Sequence, residues 1–273
     1  MAARKSVWIA ATIVVAAIVA AGAFWIFVPK LPAGRFTVCT VNHVCYCVTR
    51  ALNDDINRDV AVVRADIRRQ RDQGKAIGYL GVPLSSVGGA YFKLNAAFAK
   101  DMKDKLEARL GPALVWVLDP GDPKYGLPHG ATGADYMLVW SEVLEGQMGL
   151  GADFDFVYFV GPSDFARYLA LGDANILATL DALYDTMVKS DPGLARIKKE
   201  DFRAYYGLRA SVSYSLGSHD EWNVVASIND QRRDDPDYGI PKQLGIFFDG
   251  RAIVPAVYDD PTTDGNAGAC RRG

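Results

Sequence analysis

Ala76-Ile77-Gly78-Tyr79-Leu80-Gly81-Val82-Pro83-Leu84 is an apolar run without a charge, and it passes directly into Ser85-Ser86-Val87-Gly88-Gly89. A strand with one wet face alternates apolar and polar residues. A short run that does not alternate reads as a strand buried on both faces. The same pattern recurs at Ala113 to Leu118, closed by Asp119-Pro120-Gly121-Asp122-Pro123, and at Phe154 to Val160, closed by Gly161-Pro162-Ser163-Asp164. Helical periodicity fills the intervals. Ile56, Val60, Val63 and Ile67 follow an N-cap at Asn53. Leu94, Phe98, Met102 and Leu106 place a helix over about Tyr91 to Leu110. Further helices are predicted over Ala134 to Leu144 and about Phe165 to Val188. Buried strands alternating with amphipathic helices specify an α/β fold, a parallel sheet covered by helices.

The ends of the chain read differently. Phe36 to Val48 is predicted to be extended. Arg209 to Leu216 and Asn223 to Ile228 are read as a hairpin turning at Gly217-Ser218-His219-Asp220. A second hairpin is predicted for Leu244 to Phe248 and Arg251 to Val257 around Asp249-Gly250. The expected organisation is an N-terminal transmembrane anchor over 1–30, an α/β domain over 31–208, and an antiparallel β extension of that domain over 209–273.

The anchor rests on length. No charge falls between Val7 and Val28. As a helix this run covers roughly 33 Å at about 1.5 Å per residue, enough for a hydrocarbon core of about 30 Å. A cleaved signal peptide is the competing reading, with Ala21-Gly22-Ala23 as its site. Phe24-Trp25-Ile26-Phe27-Val28 beyond that site favours the anchor. Arg4 and Lys5 before the run favour a cytoplasmic N-terminus and a body on the periplasmic or extracellular side. Cys39, Cys45, Cys47 and Cys270 sit at the two ends of the folded part, as bridges tying down termini would. The 273 residues carry 30 Lys+Arg and 32 Asp+Glu, a net charge of −2. That balance excludes a broadly basic nucleic-acid binder.

Ligands of open parallel sheets bind beyond the carboxyl ends of the strands. That rule selects Tyr79 and the Ser85, Gly88 and Gly89 loop, then Asp119 and Asp122, then Asp164. Converging carboxylates there suit sugar hydroxyls or acid and base roles. The order from Ile77 to Ser85, the helix bearing Glu142 and Glu145, the strand Phe154 to Val160 and the acid Asp164 resembles nucleoside 2-deoxyribosyltransferases over about residues 76–171. The resemblance implies a flavodoxin-like fold, Tyr79 positioning a catalytic carboxylate, Glu142 or Glu145 as the helix acid, and Asp164 as the loop acid. It departs at one place. The family's Gly- and Glu-bearing segment after the loop acid corresponds to Phe165 to Leu171, which contains no Glu.

Other clusters read more simply. Cys39, His43, Cys45 and Cys47 lack a C-x-x-C pair, so bridges or buried thiols are a better explanation than a metal site. Asn229 to Asp235 reads as a solvated charged loop, and Trp116, Tyr136, Trp140 and Tyr158 as core. Two functions are expected from the sequence, neither with a cofactor or metal. One is a membrane-tethered module that binds a small nucleoside-like molecule or a protein partner. The other is an N-glycoside hydrolase or deoxyribosyltransferase-like enzyme using Tyr79, Asp164, Glu142 or Asp119. The missing Glu favours the module.

Overall fold

The computed structural model describes residues 34–84, 88–172, 174–211, 214–238, 242–253 and 265–271. The apolar segment 7–28 lies outside them. Among the described residues no helix is long and apolar enough to cross a membrane.

An antiparallel pair opens the chain, β1 (Arg35–Cys39) and β2 (Cys45–Thr49), in place of one extended stretch. Then follow α1 (Asn53–Asp72), β3 (Ala76–Gly81), α2 (Phe92–Leu110), β4 (Val115–Leu118), α3 (Gly133–Glu145) and β5 (Phe156–Phe159). Three helices succeed them, α4 (Pro162–Tyr168), α5 (Ile176–Ser190) and α6 (Lys199–Ala204). The chain continues with α7 (Leu216–Asp234), β6 (Gly245–Phe248) and β7 (Arg251–Ile253). The sheet order is β4-β3-β5-β6-β7, parallel except for the β6–β7 hairpin.

Each central strand sends apolar side chains to both faces, as its unalternating sequence requires. Ile77 and Tyr79 of β3 and Val157 and Phe159 of β5 pack with α1, α3, α7 and the β1–β2 pair. Leu80, Val82 and Tyr158 pack on the other face with α2, α4, α5 and α6, where Phe98 stacks on Phe165 at 3.9 Å. Gly81 keeps the first face close: a Cβ there would overlap the Phe159 ring and lie 3.3 Å from Glu221 Oε2.

Two expectations fail for local reasons. The long helix over Phe165 to Val188 is interrupted between α4 and α5, where Ala170 and Asn175 take positive φ of 51° and 62°. The turn and second strand of the hairpin expected over 209–228 are instead the helix α7. Ser215 is its N-cap and accepts a hydrogen bond from Ser218 N–H. Val224, Val225 and Ile228 are buried at helical spacing. The hairpin around Asp249-Gly250 is present as β6–β7. The charged stretch 229–235 is largely the end of α7 rather than a loop. Its Arg232 is buried and donates to the carbonyls of Leu150, Gly151 and Lys242 at 2.6–2.8 Å.

All four cysteines are paired, Cys39 with Cys45 and Cys47 with Cys270, so none is a thiolate ligand. The second bridge closes a sequence separation of 223 residues and the first only 6. On chain entropy alone the long closure contributes about 5 kcal/mol and the short one about 2 kcal/mol. Thermal denaturation is expected to show a much larger loss for Cys47→Ser/Cys270→Ser than for Cys39→Ser/Cys45→Ser.

Candidate functional site

A cavity of about 480 Å³ opens beyond the carboxyl ends of β3 and β4. Val82 and Leu84 leave β3 beneath it, and Pro120 to Pro123 leave β4 at its side. The first turns of α3 contribute Tyr136, Met137 and Trp140, and α7 contributes Ser218 and Glu221. Its size falls within the range of small-molecule pockets, about 300–1,000 Å³. Most of the lining is apolar or aromatic, and among the described residues none that line it is Lys, Arg or His.

Glu221 is the chemical focus. It is 4% exposed, and Tyr79 Oη donates to its Oε1 at 2.7 Å. Its other oxygen, Oε2, has no partner among the described residues. Ser218, one helical turn earlier on the same face, also has a buried hydroxyl without a partner. Burial pushes the Glu221 carboxyl up to about 8; the Tyr79 hydrogen bond works against the shift and the neighbouring Asp220 adds to it. Tyr79 is itself fully buried, its phenol held well above its ordinary range by burial and by Glu221. The phenol therefore stays protonated and remains a donor. Its ring meets Trp140 and Phe154 edge to face, which fixes its direction.

Tyr79→Phe keeps this packing and deletes one donor to a buried carboxyl. A hydrogen bond to a charged group is worth about 1.5–3 kcal/mol, so the variant is expected to lose about 2 kcal/mol at pH 9. Near pH 6, where Glu221 is protonated, the loss is smaller. Denaturant unfolding at the two pH values measures the difference.

The residues expected from sequence are not gathered at one mouth. Asp122 lines the cavity, and Tyr79 reaches it through Glu221. Asp119 sits beside it, accepting from Gly121 N–H at 2.7 Å, and burial pushes its carboxyl up to about 6. Glu145 is buried elsewhere, accepting from Thr40 Oγ1 at 2.7 Å and from Asn42 N–H at 3.1 Å. It orders the β1–β2 turn. Glu142 lies near Arg64, whose guanidinium donates to the Glu142 carbonyl at 2.7 Å. Asp164 is on the opposite face of the sheet, where it caps α4 and holds Tyr158 and Arg167. Gly88 and Gly89 take positive φ but do not line the cavity, and Gly89 packs against the Asp201 carbonyl. Ser85 lies outside the described residues.

Glu221 and Ser218 escape the sequence reading because the segment containing them is taken for a hairpin tip. The signal is nevertheless present: Ser215 as cap, then Gly217-Ser218-His219-Asp220-Glu221, then Val224, Val225 and Ile228 in helical register. Trp140, read as core, is buried and also forms a cavity wall. Comparison with protein-family models, curated proteins and solved structures finds no match to this chain.

Proposed function

We propose that the chain cleaves the N-glycosidic bond of a neutral, nucleoside-like molecule, with Glu221 as the attacking carboxylate. One observation carries the reading: a buried Glu with one oxygen held by Tyr79 and the other unpartnered on the wall of an apolar cavity. Oε2 forms a bond to the anomeric carbon as the C–N bond breaks. The base leaves with that electron pair and takes up a proton from solvent. Water then attacks the same carbon and gives up a proton to solvent as the ester bond breaks and Glu221 is restored as the carboxylate, the two-step course of retaining glycoside hydrolysis.

Aromatic walls suit a planar base, and the absence of cationic lining favours an uncharged ligand over a phosphorylated one. The resemblance to nucleoside 2-deoxyribosyltransferases supports the same assignment. Gly217 and Glu221 provide, on α7, the Gly- and Glu-bearing segment absent after Asp164. Taken alone, the four parallel strands β3 to β6 run in the order 2-1-3-4, consistent with a flavodoxin-like sheet. Two disulfides support an oxidising, outward location, with segment 7–28 as tether.

A second reading, a binding module without turnover, is favoured by the weakened acidity of the buried Glu221 carboxyl. At neutral pH the group is mostly a protonated donor. Thermal shift and release of free base from thymidine and adenosine separate the two. Stabilisation with release that is lost in Glu221→Gln is the expected result. Stabilisation without release supports the module, and neither effect contradicts both.

A further inference from the structure

The C-terminal segment Gly265 to Arg271 crosses from α7 to the β1–β2 pair along one side of the cavity. Asn266 forms part of the cavity wall, and its side chain lies against Gly133 at the start of α3. Several separate ties hold the segment. Asp220 accepts from Asn266 N–H at 2.7 Å and from Ala267 N–H at 3.3 Å. Gly268 N–H donates to the Cys45 carbonyl at 2.6 Å, and Cys270 N–H to Thr37 Oγ1 at 3.0 Å. Ala267 bridges to Tyr46, and Cys270 is covalently joined to Cys47. Gly265 lies so close to Asp220 that a Cβ would overlap its carboxylate.

The tie at Asp220 is adjacent in sequence to Glu221. A segment that walls the cavity at Asn266 and grips the helix at Asp220 therefore touches both the shape of the site and the placement of its carboxyl. Only the disulfide holds it covalently. The remaining ties are a few hydrogen bonds, each worth about 1 kcal/mol, on a segment of seven residues.

We propose that this C-terminal strap is the movable wall of the cavity and that the Cys47–Cys270 disulfide controls whether the site is assembled. In the oxidised chain the strap is docked and the cavity is complete. A dithiol reductant attacks the bridge through a mixed disulfide. Two electrons and two protons pass to the cysteine sulfurs, and the reductant leaves as its own disulfide. The strap is then retained by hydrogen bonds alone, and the wall at Asn266 opens. This regulation rests on the cavity being the working site, but it can be read without any reaction.

Hydrogen exchange followed by mass spectrometry tests it on the full chain in mild detergent without ligand. Oxidised wild type is compared with Cys47→Ser/Cys270→Ser and with Gly265→Val, which displaces the strap while leaving every cysteine in place. Exchange in peptides spanning 133–141, 216–225 and 265–271 is expected to accelerate at least tenfold in both variants. In Gly265→Val, which keeps the bridge, peptides from α2 and β5 keep wild-type rates. In the double Ser variant the lost closure entropy speeds exchange everywhere, and the three named peptides accelerate beyond α2 and β5. Unchanged exchange of 133–141 and 216–225 in Gly265→Val would overturn the proposal, and so would equal acceleration of every element in both variants. Base release is followed in parallel. Its absence from oxidised wild type counts against the glycosidic reading alone, because the exchange pattern still decides the strap.

Discussion

Glu221→Gln is expected to lose base release by about a thousandfold or more and, at pH 9, to melt higher than the wild type. The two effects share one cause. Gln has the shape of Glu but no charge, so Oε2 can no longer form an ester with the anomeric carbon. A thousandfold loss corresponds to about 4 kcal/mol of transition-state stabilisation. In the resting protein the charge is a burden. Burial raises the carboxyl from an ordinary 4.5 to about 8, a cost of roughly 5 kcal/mol when the group is ionised. The amide leaves one NH₂ short of a partner, worth about 1–2 kcal/mol. The net gain at pH 9 is about 3 kcal/mol, a rise in Tm of about 9 °C. Calorimetry at pH 9 and pH 5 checks it, and at pH 5 the gain disappears because the wild-type group is already neutral.

The reaction and the fold are expected to respond to pH in opposite directions. Between pH 4.5 and 8 the folded chain binds the Glu221 proton and the unfolded chain does not. This group's contribution to stability therefore falls as pH rises through that window. Attack requires the ionised form, so kcat/KM rises tenfold per pH unit below about 8 and then levels. Between pH 6 and the plateau the expected gain is about a hundredfold. Initial rates of base release across pH 5.5 to 9.5 measure the limb. Tyr79→Phe moves it to higher pH, because the hydrogen bond that favours the ionised carboxyl is gone. A profile that falls through pH 8 would make the protonated carboxyl the active form and favour the binding module or an acid role.

The central fold was legible because its strands are buried on both faces. Runs such as Ala76 to Leu84 and Phe154 to Val160 have one economical explanation, and β3 and β5 lie within them. The β6–β7 hairpin was equally legible, since Asp249 and Gly250 take the positive φ that a tight turn requires. Helix α7 was not legible as a helix. Asn223 to Ile228 alternates loosely enough to resemble a strand, and Gly217 with Ser218 resembles a turn. What decides the matter is packing of Val224, Val225 and Ile228 into the core beneath α3, a tertiary fact. That single misreading concealed Glu221. Tyr79 is expected from sequence to position a carboxylate, and the carboxylate it bonds, Glu221, arrives from 142 residues away. Asp164, Glu142 and Glu145 are expected from sequence as acids at or near the carboxyl edge, yet Asp164 and Glu145 hold local structure through their carboxylates and Glu142 lies beside Arg64. A capping carboxylate and a reacting one have the same sequence signature. Only their partners distinguish them: Asp164 is hydrogen-bonded to Tyr158, Gly161 and Arg167, whereas Glu221 keeps one oxygen free.

The claim that Glu221 attacks the anomeric carbon is tested most directly by trapping its product. A 2′-fluoro nucleoside slows the second step of a retaining mechanism by destabilising the positive charge that develops on the sugar. Oxidised full-length chain incubated with this probe at pH 8.5 is digested and mapped by mass spectrometry. The account predicts a fluorinated pentosyl adduct on Glu221, absent from Glu221→Gln. An adduct on Asp122, Asp119 or Asp164, or base release with no adduct on any carboxylate, would contradict it.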